Sequence, residues 1–582
     1  MKRFLQTVVL AVVLAGCGEQ PDPKPAVPDA LLKTGVYQGD AWLRSTRASF
    51  YSQDQGSRLM PLRWFAALQH DDGQPFLADR LARYGYLPNN EDASSNLPAG
   101  FTTNGPTGNE SVGMNCAACH TREIVVGDSR YRIDGGPAIV DFQSLLRDID
   151  KAMGRVVKEP AQFNAFADSV LEGNHDPATL ATLRKAVKTW YLPFHTIVDR
   201  ALPANPWGPS RLDAVAMIFN RLTGLDIGPA WKLHLIPENI RKATAPTRYP
   251  FVWNAPIQAK TQWPGFASNG NDLLGLARNT GEVIGVFADF TPVLKPDSPL
   301  GVDYSSNNSA NTEGLMALED LIKKIGPPKY QWPIDAALAK VGEEIYKWPI
   351  SRGSGCEDCH GIRLGKDPLT GNPTWVTPLQ DVGTDSREYD ILKWTAKTGV
   401  LSGRGIPVIG NKLKPVDSSF SVLGVAVEGT ILQRLGTVAR FRLDDDEGSH
   451  PAQLSTKSSH RRADSLASAF TPAPAGEEPF KYEARVLQGI WATAPYLHNG
   501  SVPTLADLLE PSSKRPVSFQ IGPNYDPQGK VGLAADQPKF ANFTLQTGCG
   551  NRNSGSSNCG HEFGIWLNPE EKKALLEYLK TL

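Results

Sequence analysis

The 582-residue sequence predicts a mainly α chain folded as two modules of one kind, with long loops and insertions. Three observations carry this expectation. A five-residue pattern occurs twice, at Cys116-Ala117-Ala118-Cys119-His120 and at Cys356-Glu357-Asp358-Cys359-His360. Apolar residues recur at helical spacing around each copy. The chain is too long for one ordinary core, and its 53 Gly and 46 Pro supply many turns between short helices.

The elements follow in order. Lys2 and Arg3 precede an apolar run from Phe4 to Leu14, and Ala15-Gly16-Cys17 closes it. Residues 1–17 thus resemble a bacterial lipoprotein signal, in which the Cys17 thiol accepts diacylglycerol and becomes the new N-terminus; an ordinary secretory signal is the alternative. Gly18 stands where that family's inner-membrane retention signal places Asp, so the expected location is the periplasmic face of the Gram-negative outer membrane. Residues 18–34, with Pro21, Pro23, Pro25 and Pro28, read as a tether. The first module is expected at 35–328, with helices near 140–157, 177–191, 211–222 and 312–325, and Pro327-Pro328 marks its end. The second module is expected at 329–582. It opens with a helix over 335–348 and closes with one that starts at Asn568-Pro569-Glu570-Glu571, a cap, a first-turn proline and two acids.

The repeated pattern matches c-type haem attachment. Two thiols add across the vinyl groups of one porphyrin, and the adjacent histidine becomes the proximal iron ligand. Cys116, Cys119 and His120 would hold one haem, and Cys356, Cys359 and His360 a second. Neither pair has the strand–helix context of a thioredoxin-like site or a partner pair at zinc spacing. Cys549 and Cys559 flank a Gly- and Ser-rich loop and are expected to form a disulfide. With 60 Lys plus Arg against 61 Asp plus Glu, no basic surplus exists to bind nucleic acid, and membrane contact is expected only through the lipid anchor.

The sixth iron ligand decides what each haem does. No methionine follows Met316, so the second haem lacks a local Met ligand, and His450, His460, His498 and His561 are the candidates beside an unligated iron. After His120 no histidine occurs until His175, and Gly135-Gly136-Pro137 fills the interval. The first iron is therefore expected to keep an open or water-filled position.

Trp491 to Leu508, with its core Pro495-Tyr496-Leu497-His498-Asn499-Gly500-Ser501, resembles the signature of bacterial dihaem cytochrome c peroxidases and the related methylamine-utilisation enzymes. The stretch with Trp253, Trp263 and Ala277-Arg278-Asn279-Thr280-Gly281-Glu282, together with the length, is more similar to the rubber-oxygenase and fatty-acid-dioxygenase branch. The resemblance implies His561 as distal ligand of the second haem, with His498 as the alternative. An open first iron needs a pocket, for which Trp253, Trp263, Arg278, Glu282 and Phe287 are candidates. The expected function is an exported dihaem oxidoreductase that activates O2 or peroxide at the first haem. An apolar alkene substrate or a small redox-protein donor would be its partner. The alternatives are a cytochrome c peroxidase reducing hydrogen peroxide and a non-catalytic dihaem electron carrier.

Overall fold

The computed structural model describes residues 36–582 apart from 93, 175, 368–369, 406–411 and 435–480, together with the backbone of Leu32–Lys33. Cys17, the signal segment, most of the tether, His175, His450 and His460 lie outside the described residues.

Helix starts are fixed by short polar side chains. Asp141, Asp176, Asp213, Asn271, Asn311, Asp335 and Asn568 each accept a hydrogen bond from the backbone N–H three residues on, at a helix end that otherwise leaves its first donors unpaired. The helices they open include Phe142–Lys158, Pro177–Ala201, Asp272–Gly285 and Thr312–Ile322. Helix Ala336–Tyr346 packs against the terminal helix Pro569–Leu579. They cross at Gly342, where a Cβ would overlap the Ala574 carbonyl.

The expectation of a mainly α chain made of two cytochrome domains is corrected by the structure. Helix accounts for 38% of the residues and strand for 14%, spread over many small sheets, which is a mixed α/β architecture. The reason is local. Gly- and Pro-rich stretches that read as loops pair their backbones in short ladders, such as Leu364–Lys366 with Pro373–Trp375 and Thr395–Lys397 with Val416–Ser418. Strands of two to four residues are too short to display the alternation that identifies a strand. The first motif itself lies between sheets. Ser111–Met114, paired with Phe101–Asn104 and Met60–Pro61, leads into it, and the hairpin Thr121–Val126/Ser129–Asp134 leaves it.

Two apolar cores hold these elements, and both draw on the two halves of the chain. The first includes Phe65, Leu146, Phe219 and Ile284 together with Phe420, Leu423 and Val427 of the helix Ser419–Gln433. The second joins Phe50, Ile133 and Trp253 to Ile345, Trp491 and Leu575.

Candidate haem sites

At the first motif, Cys116–Cys119 form a single helical turn capped by Asn115, whose side chain accepts from Ala117 N and donates to Phe50 O and Gln53 O, each at 2.9 Å. His120 leaves the turn with Nδ1 2.9 Å from Pro250 O. A carbonyl only accepts, so Nδ1 carries the proton and the Nε2 lone pair is left free for a metal. Burial pulls His120 down to about 4, so the ring is neutral at physiological pH. Both thiols are free, and burial pushes Cys119 up to about 12 and Cys116 higher still. The ring beside His120 is Tyr249, with centroids 6.4 Å apart.

The second motif repeats this arrangement. Cys356–His360 form one helical turn with both thiols free, and His360 Nδ1 lies 2.6 Å from Arg485 O. Burial lowers the His360 pKa as well. Around it lies a cavity with about 1260 Å³ of atom-free space, lined by Cys356, Cys359, His360, Phe251, Trp263, Leu487, Leu505, Leu575 and Leu579, among others. His561 faces His360 across it with ring centroids 6.1 Å apart. One metal atom bonded to an imidazole on each side at about 2 Å requires nearly that separation. His561 takes a left-handed backbone conformation, φ 51°, and its Nδ1 is buried without a partner among the described residues. His498 also lines the cavity but stacks on Tyr482, with centroids 4.1 Å apart. Two reduced thiols, a neutral imidazole with a fixed tautomer and an apolar cavity form the donor set that a c-type haem requires, so the residues fit the group.

Cys549 and Cys559 are joined by a disulfide. The loop it closes is anchored by Asp385, which accepts from Gly555 N at 2.7 Å and Ser557 N at 3.2 Å. Buried Arg515 donates to the carbonyls of Asn558, Gly560 and His561. His561 N in turn donates to Val382 O at 2.7 Å.

The candidate pocket residues do not form one group. Trp253 is fully buried, stacks on Phe251 and donates to Gln488 O, whereas Trp263 lines the large cavity. Arg278 and Glu282 line a smaller cavity with Gln262, Phe266 and Leu274. Arg278 pairs with Glu319 at 2.6 Å, and Glu282 accepts from Gln262 at 2.9 Å. The charges of Glu282, Glu319 and Arg278 act on the Cys116 thiol. Phe287 instead sits in the first apolar core beside Phe142 and Phe194.

Sequence reasoning missed Pro250, Arg485, Arg248 and Arg515. Pro250 and Arg485 act through backbone carbonyls, which leave no trace in residue type. Arg248 and Arg515 are buried arginines, and an arginine between apolar neighbours, as in Tyr482–Ile490, is the signal that could have marked Arg485.

Residues 481–520, which contain Arg485 and His498, match the family described as "RoxA-like, cytochrome c-like". This match supports a relationship to RoxA-like dihaem cytochromes and points to a c-type haem. Two similar proteins, both from Sinorhizobium fredii, are the uncharacterized proteins y4iJ and y4iM. The first is 30% identical over 93% of this chain and 92% of its own length. The second is 25% identical over 67% of this chain and 74% of its own. On the first of these matches, the chain belongs to the same family as the y4iJ protein.

Proposed function

We propose that the chain is an exported, haem-dependent oxidoreductase with two c-type haems. One is held by Cys116, Cys119 and His120, and the other by Cys356, Cys359 and His360 with His561 on the distal side. When loaded, the group held by His120 would offer the position for peroxide or O2, and the group held by His360 and His561 would supply it with electrons. When bound, haem iron supplies one-electron redox chemistry and an open coordination position, which no side chain offers. The observation that carries this reading is an asymmetry. His360 is faced by a second imidazole at 6.1 Å, whereas among the described residues the ring contact of His120 is with Tyr249 and not with an imidazole.

The charged cluster favours hydrogen peroxide over an apolar alkene as the substrate. Reducing H2O2 to two waters consumes two protons and two electrons, so a proton store must stand by. Burial raises the Glu282 carboxyl from its ordinary value, which makes a proton easier to hold there, and Gln262 donates to its Oε1. Arg278, ion-paired with Glu319 and donating to Asn269, is held in a fixed position in this cluster. Electron exchange between the sites is supported by a short path. Pro250, which orients His120, is followed by Phe251, and the Arg485 guanidinium lies 4.7 Å from the Phe251 ring centre. Arg485 also supplies the carbonyl that orients His360.

Export is proposed because c-type haem is attached outside the cytoplasm and the Cys549–Cys559 disulfide suits an oxidising compartment. Cys17 would then be the lipid anchor. Among the described residues no helix is long and apolar enough to cross a membrane.

The test is spectroscopic. A pyridine haemochrome assay should give two haems per chain, and carbon monoxide should bind one reduced haem in the wild type and two in His561→Ala. His498→Ala should leave the count at one. Hydrogen peroxide should be consumed with electrons from a reduced small redox protein. Carbon monoxide binding at neither haem would overturn the catalytic reading in favour of an electron carrier.

A further inference from the structure

The large cavity is apolar apart from a few groups, and its charges do not balance. Two arginines, Arg248 and Arg485, line it together with one carboxylate, Glu483. Arg248 is 5% exposed, with Nε donating to Leu497 O at 2.9 Å and Nη1 to Thr493 O at 3.2 Å. These neutral carbonyls hold the guanidinium without cancelling its charge. Arg485 Nε has no hydrogen-bond partner among the described residues. Both guanidinium groups lie against the same indole, at 4.8 Å and 5.9 Å from the Trp263 ring centre. Buried Arg248 and half-buried Arg485 therefore each stand close to a like charge. Glu483 only partly offsets them: its Oε1 accepts from Thr377, its charge acts on Arg485 alone of the two, and no ion pair within 4 Å joins it to either arginine among the described residues. Glu483 offsets one of the two cations, through its field on Arg485, so the pair keeps a surplus positive charge in a largely apolar cavity, and an arginine fork is shaped for a carboxylate.

We propose that Arg248 and Arg485 form the anion site of this cavity and hold the carboxylates of the porphyrin attached at Cys356 and Cys359. The proposal rests on the second haem site described above. A porphyrin anchored through its vinyl groups at one edge turns its two propionates away from the cysteines. Arg248 and Arg485 line the same cavity as Cys356 and Cys359 and are the groups there that would hold those propionates. Arg485 thereby serves the site twice: its carbonyl orients His360 and its guanidinium neutralises the macrocycle. Trp263 and Phe251 give both guanidinium groups flat apolar supports, which keeps the forks in place without competing for their donors.

The experiment uses the matured holoprotein and reads the propionate-bending band in the resonance Raman spectrum, with the potential of the second haem from spectroelectrochemistry. Arg248→Gln and Arg485→Gln should each move the band to lower frequency. They should also shift the potential of the second haem negative, since losing a cation favours the ferric state. A band that stays in place in both variants overturns the proposal. So does a potential that shifts with no change in the band, because the charge then acts without contact. Should the glutamine variants fail to mature, the wild type alone decides: a propionate bonded to exchangeable guanidinium protons shifts its band in D2O, and an unshifted band overturns the contact. A haemochrome count of one haem, with none at Cys356, would instead defeat the underlying second-site reading. Two haems with an unmoved band would defeat this proposal alone.

Discussion

Replacing both cysteines of the disulfide, as Cys549→Ser with Cys559→Ser, should loosen the segment that delivers His561 without unfolding the protein. The bond spans ten residues in sequence. Loop-closure entropy for a loop of that size stabilises the closed form by about 2.7 kcal/mol at 25 °C, a factor on the order of one hundred in the local opening equilibrium. The remaining anchors stay: Asp385 on Gly555 and Ser557, Arg515 on three carbonyls, and His561 N on Val382 O. Opening should therefore be local. Hydrogen exchange followed by mass spectrometry measures it, with protection of a peptide covering residues 547–562 falling on the order of a hundredfold. Peptides from the hairpin Thr121–Val126/Ser129–Asp134 should exchange as before. Unchanged protection in the loop would refute the reasoning, because the anchors alone would then set its stability.

Gly342→Ala would drive a methyl into the Ala574 carbonyl and force apart the two helices that meet there, and Leu575 and Leu579 of the second helix line the large cavity. Denaturant unfolding should show a loss of at least about 1–3 kcal/mol, with a lower yield of haem at Cys356. Glu428, 5% exposed, is pushed up to about 7 by burial alone. The folded state thus holds a proton that the unfolded chain releases near its ordinary value, so stability is full below that value and falls as pH rises to about 7. The loss saturates near about 3 kcal/mol. Glu428→Gln should abolish this slope, and denaturation at pH 5 and pH 8 checks it.

The paired cysteines near the C-terminus and the helix starts were legible because each depends on residues close in sequence. A cap needs one polar side chain and the N–H three residues on, so Asp335 and Asn568 announce their helices. The small sheets were not legible. Leu364–Lys366 pairs with Pro373–Trp375 through backbone groups, and three residues cannot show an alternating pattern. The pocket candidates show a second limit. Arg278 and Glu282 stand four apart, which suggests a mutual helix pair, yet Arg278 turns to Glu319, 41 residues on, and Glu282 to Gln262. Phe287 and Trp263 are both apolar aromatics in one stretch, but only the fold decides that one enters the core and the other lines the large cavity.

The five-residue motif supplies thiols and an imidazole, but it does not orient the imidazole. In both sites the orienting carbonyl comes from far along the chain, 130 residues after His120 and 125 residues after His360. Those two carbonyls are not independent. Pro250 precedes Phe251, and the Arg485 side chain packs on the Phe251 ring. A shift of either segment would be felt at both histidines, because the same contact lies between them. The second apolar core, which joins Trp253 to Trp491 and Leu575, fixes that contact from both halves of the chain. The two histidines are thus oriented by one shared piece of structure, as the proposed relay would require: neither ring can be reoriented without disturbing the contact that holds the other.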